Sequence, residues 1–157
     1  MMVKLLRIDY RLVHGQILFS WIPFLDSDCI LVANDAILKE QIRMITMEMG
    51  RPKGVKLVFK SMDGSIRAIC SGETVCYRLL ILVDSVADAE MLTAKCPCIK
   101  EVNLGWTKRT DSKRRLAAAV YADEKEIGLM KKMISRGIRV EMRQTPSESP
   151  VDVKDLF

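Results

Sequence analysis

Within eight residues near the start of the chain, Arg7, Asp9, Arg11 and His14 set out two guanidinium groups, a carboxylate and an imidazole, and Gly15 and Gln16 follow at once. His14 is the only histidine among 157 residues. An imidazole in such company can act as a nucleophile toward a phosphoryl group. Two nearby guanidinium groups disfavour the imidazolium and leave more of the ring neutral near pH 7. The same arginines can clamp phosphoryl oxygens in pairs once a bond to the ring has formed. Phosphoryl transfer asks mainly for positioning and charge stabilisation, and this segment holds parts for both. Asp9 has two roles open to it: orienting Arg7 or Arg11, or hydrogen-bonding one ring nitrogen of His14 and so deciding which nitrogen reacts. Gly15 allows close approach of the backbone to a ligand.

The elements that must position these groups are legible as alternation. Short, almost continuously apolar runs at Val3–Ile8, Cys29–Ala33, Val55–Phe59, Leu79–Val83 and Val102–Leu104 read as strands covered on both faces. The segment 138–142 alternates Ile138, Val140 and Met142 with Arg139 and Glu141, as an edge strand with one wet face would. Between them the spacing predicts helices. Residues 37–49 carry an apolar stripe of Leu38, Ile42, Ile45 and Met49, followed by Gly50 and Pro52 as a stop. Asp123 with Glu126 makes a capping box for a helix whose inner stripe is Ile127, Met130 and Ile134, ended by Gly137. Ser85 caps the segment around 87–94. The apolar run 17–22 is the first helix, with Trp21 and Phe24 expected in the core. Strands alternating with helices imply a three-layer α/β/α fold, a mainly parallel sheet of about six to seven strands with helices on both faces. We treat residues 1–157 as a single domain. Right-handed crossovers gather the strand-to-helix loops on one rim, where ligands bind in such folds, and residues 7–16 lie on it. A helix start just beyond His14 adds free backbone N–H groups suited to an anion.

Composition narrows the alternatives. Apolar residues make 49% and charged residues 29% of the chain, a globular balance. No apolar stretch approaches the ~20 residues that span a bilayer, and the N-terminus reads as neither signal nor transit peptide, so a cytoplasmic protein is expected. The five cysteines, Cys29, Cys70, Cys76, Cys96 and Cys98, are odd in number and irregular in spacing, which suits plain thiols in a reducing compartment. With one histidine and a single close cysteine pair, a zinc site has little to build on, so no metal and no cofactor are expected. The net charge of +5 is scattered, apart from a dense stretch between Lys108 and Arg115 that also contains Asp111.

The run Arg7-Ile-Asp-Tyr-Arg-Leu-Val-His-Gly-Gln16 resembles the phosphorylation-site motif of the IIB subunits of the mannose/fructose/sorbose family of the bacterial sugar phosphotransferase system. The likeness extends along the chain through Val32-Ala33-Asn34-Asp35, Lys100 to Gly105, Arg143 to Ser147 and Val151-Asp152. The resemblance implies that His14 takes a phosphoryl group on Nδ1 from a phosphohistidine of a IIA protein. It then passes the group to a sugar held by the membrane IIC and IID subunits. It carries Arg7, Asp9 and Arg11 over as site residues, Gly15 and Gln16 as phosphate-binding positions, and Asn34 and Asp35 as contacts on a neighbouring rim loop. Two positions depart from the family pattern. Tyr10 stands where an acidic or small polar residue is usual, and Gly105-Trp106 replaces a common Gly-Gly pair. Trp106, beside Lys108 and Arg109, is either packed or part of a docking surface.

Two other classes of protein share parts of this pattern. A histidine phosphatase needs a second histidine in its phosphate pocket, which this sequence lacks. A basic nucleic-acid-binding α/β module fits the sequence pI near 9.0, but 6% aromatic residues leave few stacking platforms. No nucleic-acid partner is expected.

Overall fold

In the computed structural model, which describes residues 2–157, the main sheet has seven strands in the order β3-β2-β4-β1-β5-β8-β9. In chain order they are β1 (Met2–Asp9), β2 (Cys29–Ala33), β3 (Lys56–Lys60), β4 (Arg78–Val83), β5 (Glu101–Trp106), β8 (Arg139–Met142) and β9 (Val151–Asp152). A separate antiparallel hairpin, β6 (Arg114–Ala117) with β7 (Val120–Ala122), follows β5. Every pairing in the main sheet is parallel except β8 with β9. The helices are α1 (Ile22–Leu25), α2 (Gln41–Met49), α3 (Met62–Cys70), α4 (Val86–Lys95) and α5 (Glu124–Ser135).

Side chains alternate strictly across the sheet, and this alternation divides the core. In β4, Leu79, Ile81 and Val83 join the cluster under α3, α4 and α5, while Leu80 and Leu82 face the opposite cluster with Ile17, Trp21, Ile37 and Met47. Both faces of β2 and β4 are therefore apolar, which is why those strands carry unbroken hydrophobic runs. Each such fully buried aliphatic side chain contributes roughly 1.5–3 kcal/mol. The expected three-layer, mainly parallel architecture is what the chain forms. Asp123 and Glu126 make their reciprocal capping box, Ser85 Oγ accepts from the backbone N–H of Asp88, and Gly137 follows α5 with φ +83°.

Several local expectations need correction. The third strand is displaced by one residue, to Lys56–Lys60. Strand β8 is not an edge with a wet face, because β9 pairs alongside it and Glu141 is buried against Asn103 and Arg143. The helix expected at 37–49 is broken. Ala36–Lys39 forms a 3₁₀ turn, Glu40 leaves helical geometry (φ −110°, ψ 69°), and α2 restarts at Gln41. A 3₁₀ turn advances faster around its axis than an α-helix, so the phase is reset. Ile37 and Met47 point inward, while the stripe Leu38, Ile42, Ile45 and Met49 points outward. In α5 the fully buried pair is Met130 and Met133, with Ile134 packed partly against the core. Helix α3, the β6–β7 hairpin and β9 are additional elements. Ser61 caps α3 by accepting from the N–H of Gly64.

Candidate functional site

Strand β1 lies between β4 and β5, and its carboxyl end delivers the cluster to the rim. Arg7 and Asp9 share one face of the strand by the period-2 rule, and both are fully buried. The chain then turns sharply. Leu12 N–H donates to the Asp9 carbonyl at 2.9 Å, and Leu12 sits in the left-handed region with φ 59°. That conformation costs a leucine roughly 1–2 kcal/mol, offset by complete burial of its side chain. Helix follows from residue 15, passes through a π-helical turn at Ile17–Trp21, and ends in α1.

The Asp9 carboxylate is the hub. Its Oδ2 lies 2.9 Å from Nε2 of His14 and accepts from Arg7 Nη2 at 3.2 Å and Arg11 Nη2 at 3.1 Å. Its Oδ1 accepts from the backbone N–H and the Nε of Arg11, each at 3.1 Å. Both roles left open for Asp9 are thus filled at once. Burial pushes the Asp9 carboxyl up, but the hydrogen bonds from His14 and Arg11 and the charge of Arg7 more than offset it, bringing it down to about 2. With Nε2 engaged by Asp9, Nδ1 is the ring nitrogen outside that contact. His14 remains partly open to solvent, its side chain 18% exposed.

The two arginines are not equivalent. Arg7 is locked beneath the site: Nη1 donates to Asn103 Oδ1 and the Arg143 carbonyl, and Nη2 also reaches the Gln144 carbonyl and Gln16 Oε1. Its guanidinium lies over the Trp21 ring, 4.8 Å from the centroid. Burial lowers the Arg7 pKa to about 10, still leaving it charged at neutral pH. With its terminal nitrogens so occupied, Arg7 orients Asp9 and is poorly placed to clamp a phosphoryl group directly. Arg11 is partly exposed and stacks 4.3 Å from the Trp106 ring centroid, so it is the arginine with reach toward a ligand on His14.

Gly105 is required by Arg7, since a Cβ at position 105 would overlap the guanidinium. Gly15 has no such constraint from the protein. A Cβ there would meet the Phe19 ring at an ordinary 3.7 Å. Gln16 contributes its side-chain carbonyl to Arg7. Asn34 and Asp35 are occupied elsewhere: Asn34 Oδ1 accepts from the Ile37 N–H at 2.8 Å and Asp35 Oδ1 from the Met62 N–H at 2.9 Å. Neither hydrogen-bonds any residue of the 7–16 segment, so they shape the adjacent rim loop. Trp21 is fully buried and donates Nε1–H to the Gln144 carbonyl, as a core residue, whereas Phe24 is largely exposed.

Sequence reasoning missed the layer behind the site. Fully buried Asn103 bridges Arg7 to Glu141 through Nδ2, and Glu141 pairs with Arg143 at 3.1 Å. Asn103, polar in the middle of an otherwise apolar stretch of β5, was the available signal. Among the described residues no cluster has the make-up to hold a metal ion, and no helix is long and apolar enough to cross a membrane. A cavity of about 240 Å³ between Cys29, Lys56, Thr74 and Tyr77 lies on the β3 edge of the sheet, apart from His14.

Residues 3–157 match the family model described as PTS system sorbose subfamily IIB component. The chain is 30% identical to the probable phosphotransferase enzyme IIB component of Streptococcus pyogenes serotype M6, covering 99% of each chain. It is 29% identical to the fructose-specific EIIB component of Bacillus subtilis over 100% of this chain and 96% of that one. The crystal structure of the IIBSor domain of the Klebsiella pneumoniae sorbose permease superposes with a TM-score of 0.93 at 22% identity, covering 99% of this chain and 96% of that one. At that identity the likeness speaks for the fold.

Proposed function

The chain belongs to the sorbose subfamily of IIB components of the sugar phosphotransferase system, and we propose that His14 is the residue through which it relays a phosphoryl group during sugar uptake. The Nδ1 lone pair of His14 attacks the phosphorus of a phosphohistidine on a IIA protein. The new N–P bond forms as the donor's N–P bond breaks, its electron pair returning to the donor ring. A hydroxyl of a sugar held by membrane IIC and IID subunits then attacks the same phosphorus, the electron pair of the breaking N–P bond returns to Nδ1 of His14, and the hydroxyl proton passes to that freed nitrogen and on to solvent. The protein acts on the cytoplasmic side of the membrane, and the choice of sugar rests with the membrane subunits.

The observation that carries this reading is the 2.9 Å contact from Asp9 Oδ2 to His14 Nε2. It leaves Nδ1 as the ring nitrogen not engaged by Asp9 and supplies a fixed negative charge to the ring as it gains positive character on phosphorylation. Asp9 stays ionised down to about pH 2, so this support is constant across the physiological range. Arg11 and the backbone N–H groups of the helix start, with Gly15 free of a side chain, are the groups available to the phosphoryl oxygens.

The test is transfer of labelled phosphoryl from phosphoenolpyruvate through the general phosphotransferase proteins and a IIA protein of this family. Acid-labile label is expected on the wild type and none on His14→Ala. An unlabelled wild type, or label that survives the substitution, refutes the reading.

A further inference from the structure

Beside the phosphoryl site, α2 turns its apolar side to solvent. Ile42 and Met49 are each 82% exposed, and Ile45 and Leu38 are exposed with them. Phe19, 80% exposed, stands over Gly15, next to His14 in sequence. The two segments adjoin, since a Cβ on Gly50 would lie 3.2 Å from Leu18 Cδ1. Large aliphatic and aromatic side chains exposed on adjoining segments mark an interaction surface. Arg43 fastens this face to the site by donating to the carbonyls of Tyr10 and Arg11 at 3.4 and 3.3 Å. A molecule seated on α2 therefore touches the element that holds His14.

Most charges at the margins of the face are paired, with Lys39 the cation left over. Arg43 pairs with Glu40 at 3.1 Å and Arg51 with Glu48 at 3.4 Å. An apolar centre inside a polar rim of mostly paired charges suits another protein. The opposite side of β1 has the reverse chemistry. There the segment leading into and through the β6–β7 hairpin carries Lys108, Arg109, Lys113, Arg114 and Arg115 against Asp111. Lys113 and Arg114 pair with Glu126 and Glu124 of α5, which leaves Lys108, Arg109 and Arg115 outward. Exposed cations without an apolar centre suit anionic lipid headgroups. Because β2 and β5 lie on opposite sides of β1, the two surfaces flank His14.

His14 as relay has two partners, one soluble and one held in a membrane. We infer that the face formed by Leu38, Ile42, Ile45, Met49 and Phe19 is the docking surface for the phosphorylated IIA protein, with the basic hairpin side turned to the membrane. This rests on the reading of His14 as phosphoryl acceptor.

The test uses the full chain with Ile42→Asp and Ile45→Asp, and with Met91→Asp on α4, across the sheet from α2, as a control. Folding of each is checked by thermal unfolding. The KM for a phosphorylated IIA protein of this family is expected to rise about tenfold in each α2 variant, the scale of losing one anchoring contact, with kcat little changed and Met91→Asp like wild type. Onward transfer from the phosphorylated variants to sugar, in vesicles bearing the membrane subunits, reads the second partner. An unchanged KM overturns the assignment. So does a loss in onward transfer as large as the loss with IIA, or a wild-type dimer that Ile42→Asp dissolves, which gives the face to a second copy. Failure of the underlying reading looks different: the wild type then takes no label from IIA at all.

Discussion

Asp9 and His14 are joined by a 2.9 Å contact between Oδ2 and Nε2, and the same oxygen accepts from both Arg7 and Arg11. One buried carboxylate thus sets the ring's orientation and holds the two cations in register with it. Asp9→Asn keeps the shape and removes the charge. It leaves the Arg7 guanidinium buried without its ion pair, a change that typically costs about 3–5 kcal/mol. We expect phosphoryl uptake to slow between about 100-fold and about 10⁴-fold, the upper figure being the scale seen when a catalytic histidine loses its orienting carboxylate. Rapid-quench transfer rates, alongside urea unfolding to show that the variant is folded, check this outcome.

The same carboxylate makes stability depend on acid pH. Its folded-state value lies near 2 against an ordinary 3.8. Stabilisation by ionised Asp9 is therefore complete above about pH 4 and disappears as pH falls through 2. The amount is about 2 kcal/mol. Urea unfolding of wild type and Asp9→Asn at steps between pH 5 and pH 2 should show the gap between them narrowing toward the acid end.

Gly105→Ala tests the locking of Arg7. A Cβ at 105 would occupy the space of the guanidinium, so either strand β5 shifts or Arg7 leaves Asp9. Overpacking of this kind costs about 1–3 kcal/mol. We expect lower stability in urea together with slower phosphoryl transfer. An unperturbed Gly105→Ala protein would mean that Arg7 has another place to go.

A second carboxylate behaves oppositely. Burial, and then the neighbouring Asp84, push the Asp88 carboxyl up to about 6. Here the folded state holds the proton more tightly than the unfolded chain, so stability falls as pH rises from about 4 through 6 and levels off above that. Asp88→Asn should stabilise the protein by about 1–3 kcal/mol at pH 8. That gain should shrink as pH falls below 6 and vanish by about pH 3, where both states bind the proton. Thermal or urea unfolding at the two pH values reads the difference.

Much of the frame is legible from residue patterns because burial on both faces leaves little choice. Leu79 to Val83 and Cys29 to Ala33 can be nothing but central strands, and the spacing of Arg7, Asp9, Arg11 and His14 after the first strand places them on the rim. What escaped pattern reading depends on phase and on partners distant in sequence. A single non-helical residue, Glu40, rotates α2 so that an apparent core stripe faces solvent. Nothing local distinguishes Arg7 from Arg11. Their difference comes from Asn103, Arg143 and Gln144, which arrive almost a hundred residues or more later to bury one and not the other. Glu141 reads as solvent-facing by alternation, yet β9 and the segment after β8 close over it.

The most direct test of the central claim is to find which ring nitrogen of His14 carries the phosphoryl group. Nitrogen-15 and phosphorus-31 resonance of the protein labelled on histidine and phosphorylated through IIA resolves the two positions. With Asp9 holding Nε2, phosphorus is predicted on Nδ1 of His14, and the signal should be absent from His14→Ala. Phosphorus on Nε2, or on any residue other than His14, would contradict the account.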